Sequence, residues 1–362
     1  MTRITVELGE RAHPILIGSD LLDQAADRVL EVLRPSHVII VAQPTVGPSY
    51  GQRVLSSFER QGIPVSLTEV PDGEEAKCFA EIERLSDTML AHRLPRQACL
   101  VTVGGGAVGD MGGFAAAIHM RGIAFVQIPT TLLAMVDASV GGKTGINTPR
   151  GKNLVGAFWQ PRLVLADLDT LGTLAPRQMR AGMAEVIKHG VIADSALFEA
   201  IEAHASPSEP DRDLLTLAVR RSCEIKAAVV AEDEREGGRR MILNLGHTIG
   251  HAVENLGGYH DLLHGECVAI GMVVAAEIAE DLGMASADVP ARIEGLCERA
   301  GLPTRIPSMP WPRLLDVMRS DKKVAGDRLR FVLPRCIGQV IIRDDVPLDV
   351  VERVFRERGA TD

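Results

Sequence analysis

Ala98-Cys99-Leu100-Val101-Thr102-Val103-Gly104-Gly105-Gly106-Ala107-Val108-Gly109-Asp110 is the stretch whose reading decides the fold. Six residues of strand length and apolar character run into three successive glycines, and the helix-like segment 111–118 follows. A strand that turns through glycine into a helix is a unit of a parallel sheet with helices on its faces. The glycines allow a tight turn and let backbone N–H groups come close to a diphosphate. The string satisfies G-x-G-x-x-G, yet no acidic residue stands about 20 positions later to hold a ribose hydroxyl, and several strands precede it. It predicts dinucleotide binding in a variant arrangement.

Working outward, segments 38–41, 63–67, 124–128 and 163–166 are further short apolar runs, and 76–91 is a helix-length segment among them. The opening residues 1–8 alternate apolar and polar like a strand. After about Thr173 the texture changes: Pro176 suits a first helical turn, and helical periodicity dominates to Met284, including 177–193 and 214–231. Proline-rich clusters at 206–210 and 303–312 predict surface loops. The expected architecture is α/β plus all-α, with an α/β domain over 1–172 and a helical domain over 173–362.

Composition limits what such a chain does. A length of 362 residues suits two domains, and 46% apolar with 24% charged residues is an ordinary globular balance. Aromatics are only 3%, so the core must be aliphatic. A net charge of −9 argues against nucleic acid as the main partner. No secretory leader pattern is visible, and the longest apolar stretch, near 267–276, is about half a membrane span, so no membrane partner is expected. Six dispersed cysteines with no CxxC pair fit reduced thiols in a cytoplasmic enzyme.

Two constellations carry chemistry. In the first, Pro129-Thr130-Thr131 precedes Val136-Asp137-Ala138-Ser139-Val140-Gly141-Gly142-Lys143-Thr144-Gly145, and Gly151-Lys152-Asn153 follows. The first glycine of a P-loop is missing and Asp137 would repel phosphate there, which argues against a nucleotide triphosphatase. Lysines and an Asn on glycine-framed loops suit a phosphate monoester through charge-assisted hydrogen bonds. In the second, His247 and His251 are four apart and share a helix face, His264 lies beyond a glycine-rich loop, and Glu185 and Lys188 share a face of an earlier helix. Two imidazoles and a carboxylate match a catalytic zinc site with open positions. The residue types alone leave open which histidines bind.

Taken in order, these strings resemble the 3-dehydroquinate synthase family, over residues 71–334. The resemblance rests on 104–110, 129–133, 136–143, 151–154, 184–188, 233–237, 244–251, 264–266 and Asp321-Lys322-Lys323. It implies a Rossmann-like NAD-binding domain, a helical metal-binding domain, a homodimer, and a sugar-phosphate substrate closed to a carbocycle. It further implies zinc or cobalt on Glu185, His247 and His264, with His251 turned to the substrate phosphate. Substrate positions would be Lys143, Asn153, Lys188, Lys226, Arg240 and Asn244, together with one lysine of the Lys322/Lys323 pair, assigned here to Lys322, with Arg121 reaching across the dimer. NAD would be held by Gly105, Gly106, Asp110, Thr130, Thr131, Lys143, Lys152 and Thr173, with Glu74 and Lys77 near the adenosine end and Asp137 near hydride transfer. One departure is Gln43-Pro44-Thr45, where many relatives have Asp or Asn beside the adenine ribose.

Rival readings are a secondary-metabolite sugar-phosphate cyclase, a group III metal-dependent alcohol dehydrogenase and a non-catalytic NAD-binding protein. Arg240 with the Lys322/Lys323 pair favours a carboxylate-bearing substrate over the first. A simple dehydrogenase would not need Lys143, Asn153, Lys188 and His251 around a phosphate.

Overall fold

The computed structural model describes residues 1–258, 261–320 and 329–362. It divides into two compact units: Met1–Leu174 with Ser222–Arg235, and Ala175–Arg221 with Glu236–Asp362.

The first unit is built on a seven-stranded sheet. Its strands are β1 (Thr2–Val6), β2 (His13–Gly18), β3 (Val38–Ala42), β4 (Val65–Glu69), β5 (Cys99–Gly104), β6 (Ala124–Pro129) and β9 (Leu163–Asp167), in the order β1-β2-β9-β6-β5-β3-β4. All pairs are parallel except β1 with β2. Buried parallel strands need apolar side chains on both faces, and β3, β5 and β9 are buried at every residue. Alternation then feeds two cores: Val38, Ile40, Val101 and Val103 pack on one face, Ile39, Val41 and Leu100 on the other.

The turn after β5 leads straight into a helix, Gly106–Ile118, which therefore starts five residues earlier than the glycine content suggested. A hairpin of β7 (Lys143–Thr148) and β8 (Gly151–Phe158) lies between β6 and β9. The expectation that Lys143, Lys152 and Asn153 sit on loops is thereby corrected: they lie on paired strands. Glycines at 145, 151 and 156 hide the strand pattern, and those at 145 and 156 let the two backbones approach closely.

The second unit is mainly helical, with long helices Pro176–Ala193 and His264–Asp281 and a shorter one, His247–Leu256. It also carries a hairpin, β10 (Phe331–Cys336) with β11 (Gln339–Arg343). The helix Trp311–Ser320 begins inside the stretch expected to be loop, with Pro312 in its first turn. The helix Arg212–Glu232 starts in this unit, and its second half groups with the first unit. There Cys223 lies against the Met135 carbonyl, and Glu234 receives Arg11 and Gln160. No described helix is long and apolar enough to cross a membrane.

Candidate active site

In the helical unit, Glu185 lies on the Pro176–Ala193 helix, buried on all sides between residues 181 and 192. Its exposure is 0%, its charge is paired with the Lys188 ammonium, and neither carboxylate oxygen accepts a hydrogen bond among the described residues. A buried charge of this kind is costly unless something else meets it. His247 Nε2 stands 3.8 Å and His264 Nε2 3.7 Å from Glu185 Oε1. Those gaps exceed a hydrogen bond and approach the spacing of two ligands sharing one ion with bonds of about 2.0–2.2 Å.

The outer faces of both imidazoles are tethered. His247 Nδ1 lies 3.1 Å from the Leu245 carbonyl, and His264 Nδ1 lies 3.5 Å from Glu254 Oε2. A carbonyl can only accept, so His247 Nδ1 donates and its Nε2 presents a lone pair toward Glu185. Burial first, then the Lys188 ammonium and the neighbouring imidazoles, hold His247 well below the ordinary histidine range and keep it neutral. A neutral imidazole is the form a metal requires. The residues present therefore fit a divalent ion, and the three ligand atoms lie within 4.8 Å of one another.

Local sequence explains how three separate segments converge. Gly246 has a φ of 78° as the residue before the His247–Leu256 helix, and a Cβ there would lie 2.6 Å from the Val268 carbonyl. At Gly265 a Cβ would stand 1.9 Å from the Ala181 carbonyl, so only glycine lets the first turn bearing His264 press on the helix bearing Glu185. Arg177 grips that turn from the same helix, with Nε and Nη2 each 2.7 Å from Glu266, while Glu266 also accepts from the Leu263 N–H at 2.8 Å. Sequence reasoning missed Arg177 and Glu254. Their signals were present: Glu266 stands inside the His264-Gly265-Glu266 string, and Glu254 follows His251 on one helix.

His251 joins the group, with its ring centroid 5.3 Å from His247 and 6.0 Å from His264. A second set of close atoms, His251, Glu254 and His264, follows from this packing. Arg240 is only 2% exposed on the short helix Arg239–Asn244, and Asn244 Nδ2 donates to Glu236 at 2.8 Å. Lys322 lies outside the described residues.

In the α/β unit, Lys77 ties together three other sequence-predicted residues. Its ammonium, 1% exposed, donates to Asn153 Oδ1 at 2.6 Å, to Asp110 Oδ2 at 2.7 Å and to Glu74 Oε1 at 3.4 Å. Burial opposes that charge, and the Asp110 and Glu74 carboxylates outweigh it, holding Lys77 above its ordinary value. Asn147, which the sequence reading missed, braces the arrangement: its Oδ1 accepts from the Asn153 N–H at 3.0 Å and its N–H donates to the Lys77 carbonyl at 2.7 Å. This connects β7 and β8 to the segment before the Phe79–Ala91 helix.

Asp137 sits on the short helix Ala134–Ala138, and Lys226 Nζ reaches both its Oδ1 and its carbonyl oxygen at 2.5 Å. Thr131 Oγ1 accepts from Ala134 N at 3.1 Å and so fixes the start of that helix. Thr130 is buried at the end of β6, its N–H on the Gly104 carbonyl at 2.9 Å. Thr173 shares a 2.6 Å hydrogen bond with the Tyr50 hydroxyl. Lys143 is exposed and Lys152 half-buried, on opposite strands of the hairpin. Gly105 and Gly106 form the turn after β5, and Arg121 follows the Gly106–Ile118 helix with a φ of 65°.

An α/β unit built on a parallel sheet and a mainly helical unit are the architecture of the sugar-phosphate cyclases. The chain shares that architecture with solved structures of the class. One is 2-deoxy-scyllo-inosose synthase with carbaglucose-6-phosphate, NAD+ and Co2+, at 28% identity and TM-score 0.89, covering 99% of this chain and 100% of that one. Another is 2-epi-5-epi-valiolone synthase from Streptomyces hygroscopicus with NAD+ and Zn2+, at 27% identity and TM-score 0.86, covering 95% and 96%. The chain itself belongs to the 3-dehydroquinate synthase family: the family's N-terminal model matches residues 67–181 and its C-terminal model residues 182–324. It is 48% identical to 3-dehydroquinate synthase of Nostoc punctiforme over 357 residues, 98% of each chain.

Proposed function

We propose that the chain converts 3-deoxy-D-arabino-heptulosonate 7-phosphate to 3-dehydroquinate and inorganic phosphate, with NAD and a divalent metal as cofactors. The observation that carries this is the buried Glu185, His247 and His264 clasp in a chain of this family. NAD bound at the glycine turn supplies reversible hydride acceptance, and zinc or cobalt held by the clasp supplies Lewis-acid polarisation of a substrate oxygen. The remaining work falls to side chains.

Lys188 and Arg240, both nearly fully buried, are fixed cations for an anionic substrate, and Arg240 is the partner we assign to its carboxylate. Lys143, Lys226, Asn244 and His251 are assigned to the phosphate and the sugar hydroxyls. Held there, the substrate phosphate stands near the C–H it would deprotonate, and proximity takes the place of a dedicated protein base. Asp137 receives Lys226 on two oxygens, which fixes the height of that ammonium. Glu74, Lys77 and Asp110 are assigned to the cofactor, and their shared hydrogen bonds prearrange them for it. Asn153, held by Lys77, links the cofactor group to the substrate group.

A homodimer and a cytoplasmic setting belong to the same reading. Met120, Arg121 and Gly122 have φ of 50°, 65° and 119°, a left-handed run that sets Arg121 apart from the helix before it. Ile118, Met120, Leu154 and Phe158 expose 42–64% of their surface in that unit, as residues awaiting a second copy do. The six free cysteines suit a reducing compartment.

The deciding assay combines purified protein, NAD+, zinc and the heptulosonate phosphate. Phosphate should appear without net NADH. Steady NADH accumulation would instead indicate a simple dehydrogenase. Turnover only with a neutral heptulose phosphate would indicate a secondary-metabolite cyclase.

A further inference from the structure

Gln43 follows β3 directly, and β3 pairs in register with β5, so Ala42 stands beside Val103 and Gln43 beside the glycine turn. Its side chain folds onto that turn. Gly105 N donates to Gln43 Oε1 at 3.2 Å. The same oxygen lies 2.8 Å from where a Cβ of Gly104 would be and 3.9 Å from that of Gly105. Thr131 Oγ1 stands 3.8 Å from the Gly105 position. The amide oxygen therefore occupies the space left by absent side chains, between a backbone donor and a threonine. That space is what a glycine turn provides for an anionic oxygen.

We infer that Gln43 is a resident competitor of the dinucleotide: its carboxamide oxygen takes the Gly105 N–H that the bound diphosphate takes over. This rests on the reading of the turn as the NAD site. A diphosphate oxygen is charged and makes the stronger hydrogen bond, so the cofactor wins the exchange. Binding nevertheless gives up one hydrogen bond already made within the protein, and affinity is lower by that amount. Reach is the deciding property. Glutamine spans from the end of β3 to the turn, and a side chain one methylene shorter at the same place would fall short of Gly105.

Isothermal titration calorimetry of NAD+ into the purified full chain tests this, with melting temperatures reporting the fold. Gln43→Ala should bind NAD+ about three- to tenfold more tightly than wild type, the factor for one exchanged hydrogen bond. Gln43→Asn should tighten similarly, because it keeps the amide but loses the reach. Gln43→Glu should weaken binding roughly tenfold or more by placing a fixed negative charge where the diphosphate belongs. If wild type binds and Gln43→Ala binds equally or more weakly, Gln43 is a cofactor contact or a bystander and the inference is overturned alone. If wild type shows no NAD+ binding at all, the dinucleotide reading falls and this inference with it.

Discussion

A Cβ on Gly265 would stand 1.9 Å from the carbonyl oxygen of Ala181, so two helices touch backbone to side-chain position at the clasp. Gly265→Ala must move one helix off the other, and His264 moves with its own. Overpacking of this kind costs about 1–3 kcal/mol and sometimes more. We expect a lowered melting temperature together with zinc content below half an equivalent, measured by calorimetry and elemental analysis. Full zinc occupancy in the variant would show that His264 is not placed by this contact.

Lys77→Met leaves the Asp110 carboxylate and the Asn153 amide without their shared donor. The Asp110 side chain retains 20% exposure, which softens the penalty to roughly 2–4 kcal/mol by urea denaturation. Adding Asp110→Asn should recover part of the loss, because the uncompensated charge goes with it. Purely additive effects in that double-mutant cycle would mean that the two residues do not work as a pair.

Much of this was legible in the chain because it depends on local pattern. The strand before Gly104, the helix carrying Glu185 and Lys188, and the shared face of His247 and His251 each follow from periodicity and spacing. The joining of distant segments was not legible. Nothing in the order of residues says that Asn153 meets Lys77 across 76 positions, or that Arg177 grips Glu266 across 89. The β7–β8 hairpin was obscured for a different reason: the glycines that let its strands approach also remove the side chains by which a strand is recognised. At Gln43 the chemistry of the residue was plain, but its direction required the pairing of β3 with β5.

Arg358 is buried between Glu277 and Glu294, with hydrogen bonds to both carboxylates. Its guanidinium holds Glu294 below the usual carboxylate range despite partial burial. A depressed carboxylate contributes stability above its unfolded value, near 4.5, and loses it as pH falls through the folded one. Wild type should therefore weaken on acidification below about pH 4.5. Arg358→Met should be destabilised by roughly 3 kcal/mol near neutrality. That gap should narrow as the pH falls, since protonation relieves the orphaned Glu294 carboxylate. Guanidinium melts at pH 7 and pH 4 would show this, and a gap that widens at pH 4 would refute it.

The thiols give a last, independent check on the packing. Burial pushes Cys99, Cys223 and Cys297 up to about 12, and Cys267 is buried as well. Cys336 is exposed and Cys78 half-buried. Because the thiolate is the reactive form, a disulfide reagent at pH 8 should titrate Cys336 quickly, Cys78 more slowly and the other four only after denaturation. The same three raised groups keep their protons in the folded state while the unfolded chain loses them near 9. Their contribution to stability is therefore complete below pH 9 and declines steadily toward pH 12. Replacing Cys99 and Cys297 by Ala should flatten that alkaline decline, even though it costs packing at neutral pH. More than two thiols reacting in the native protein would mean that the packing around at least one of Cys99, Cys223, Cys267 and Cys297 is open to solvent.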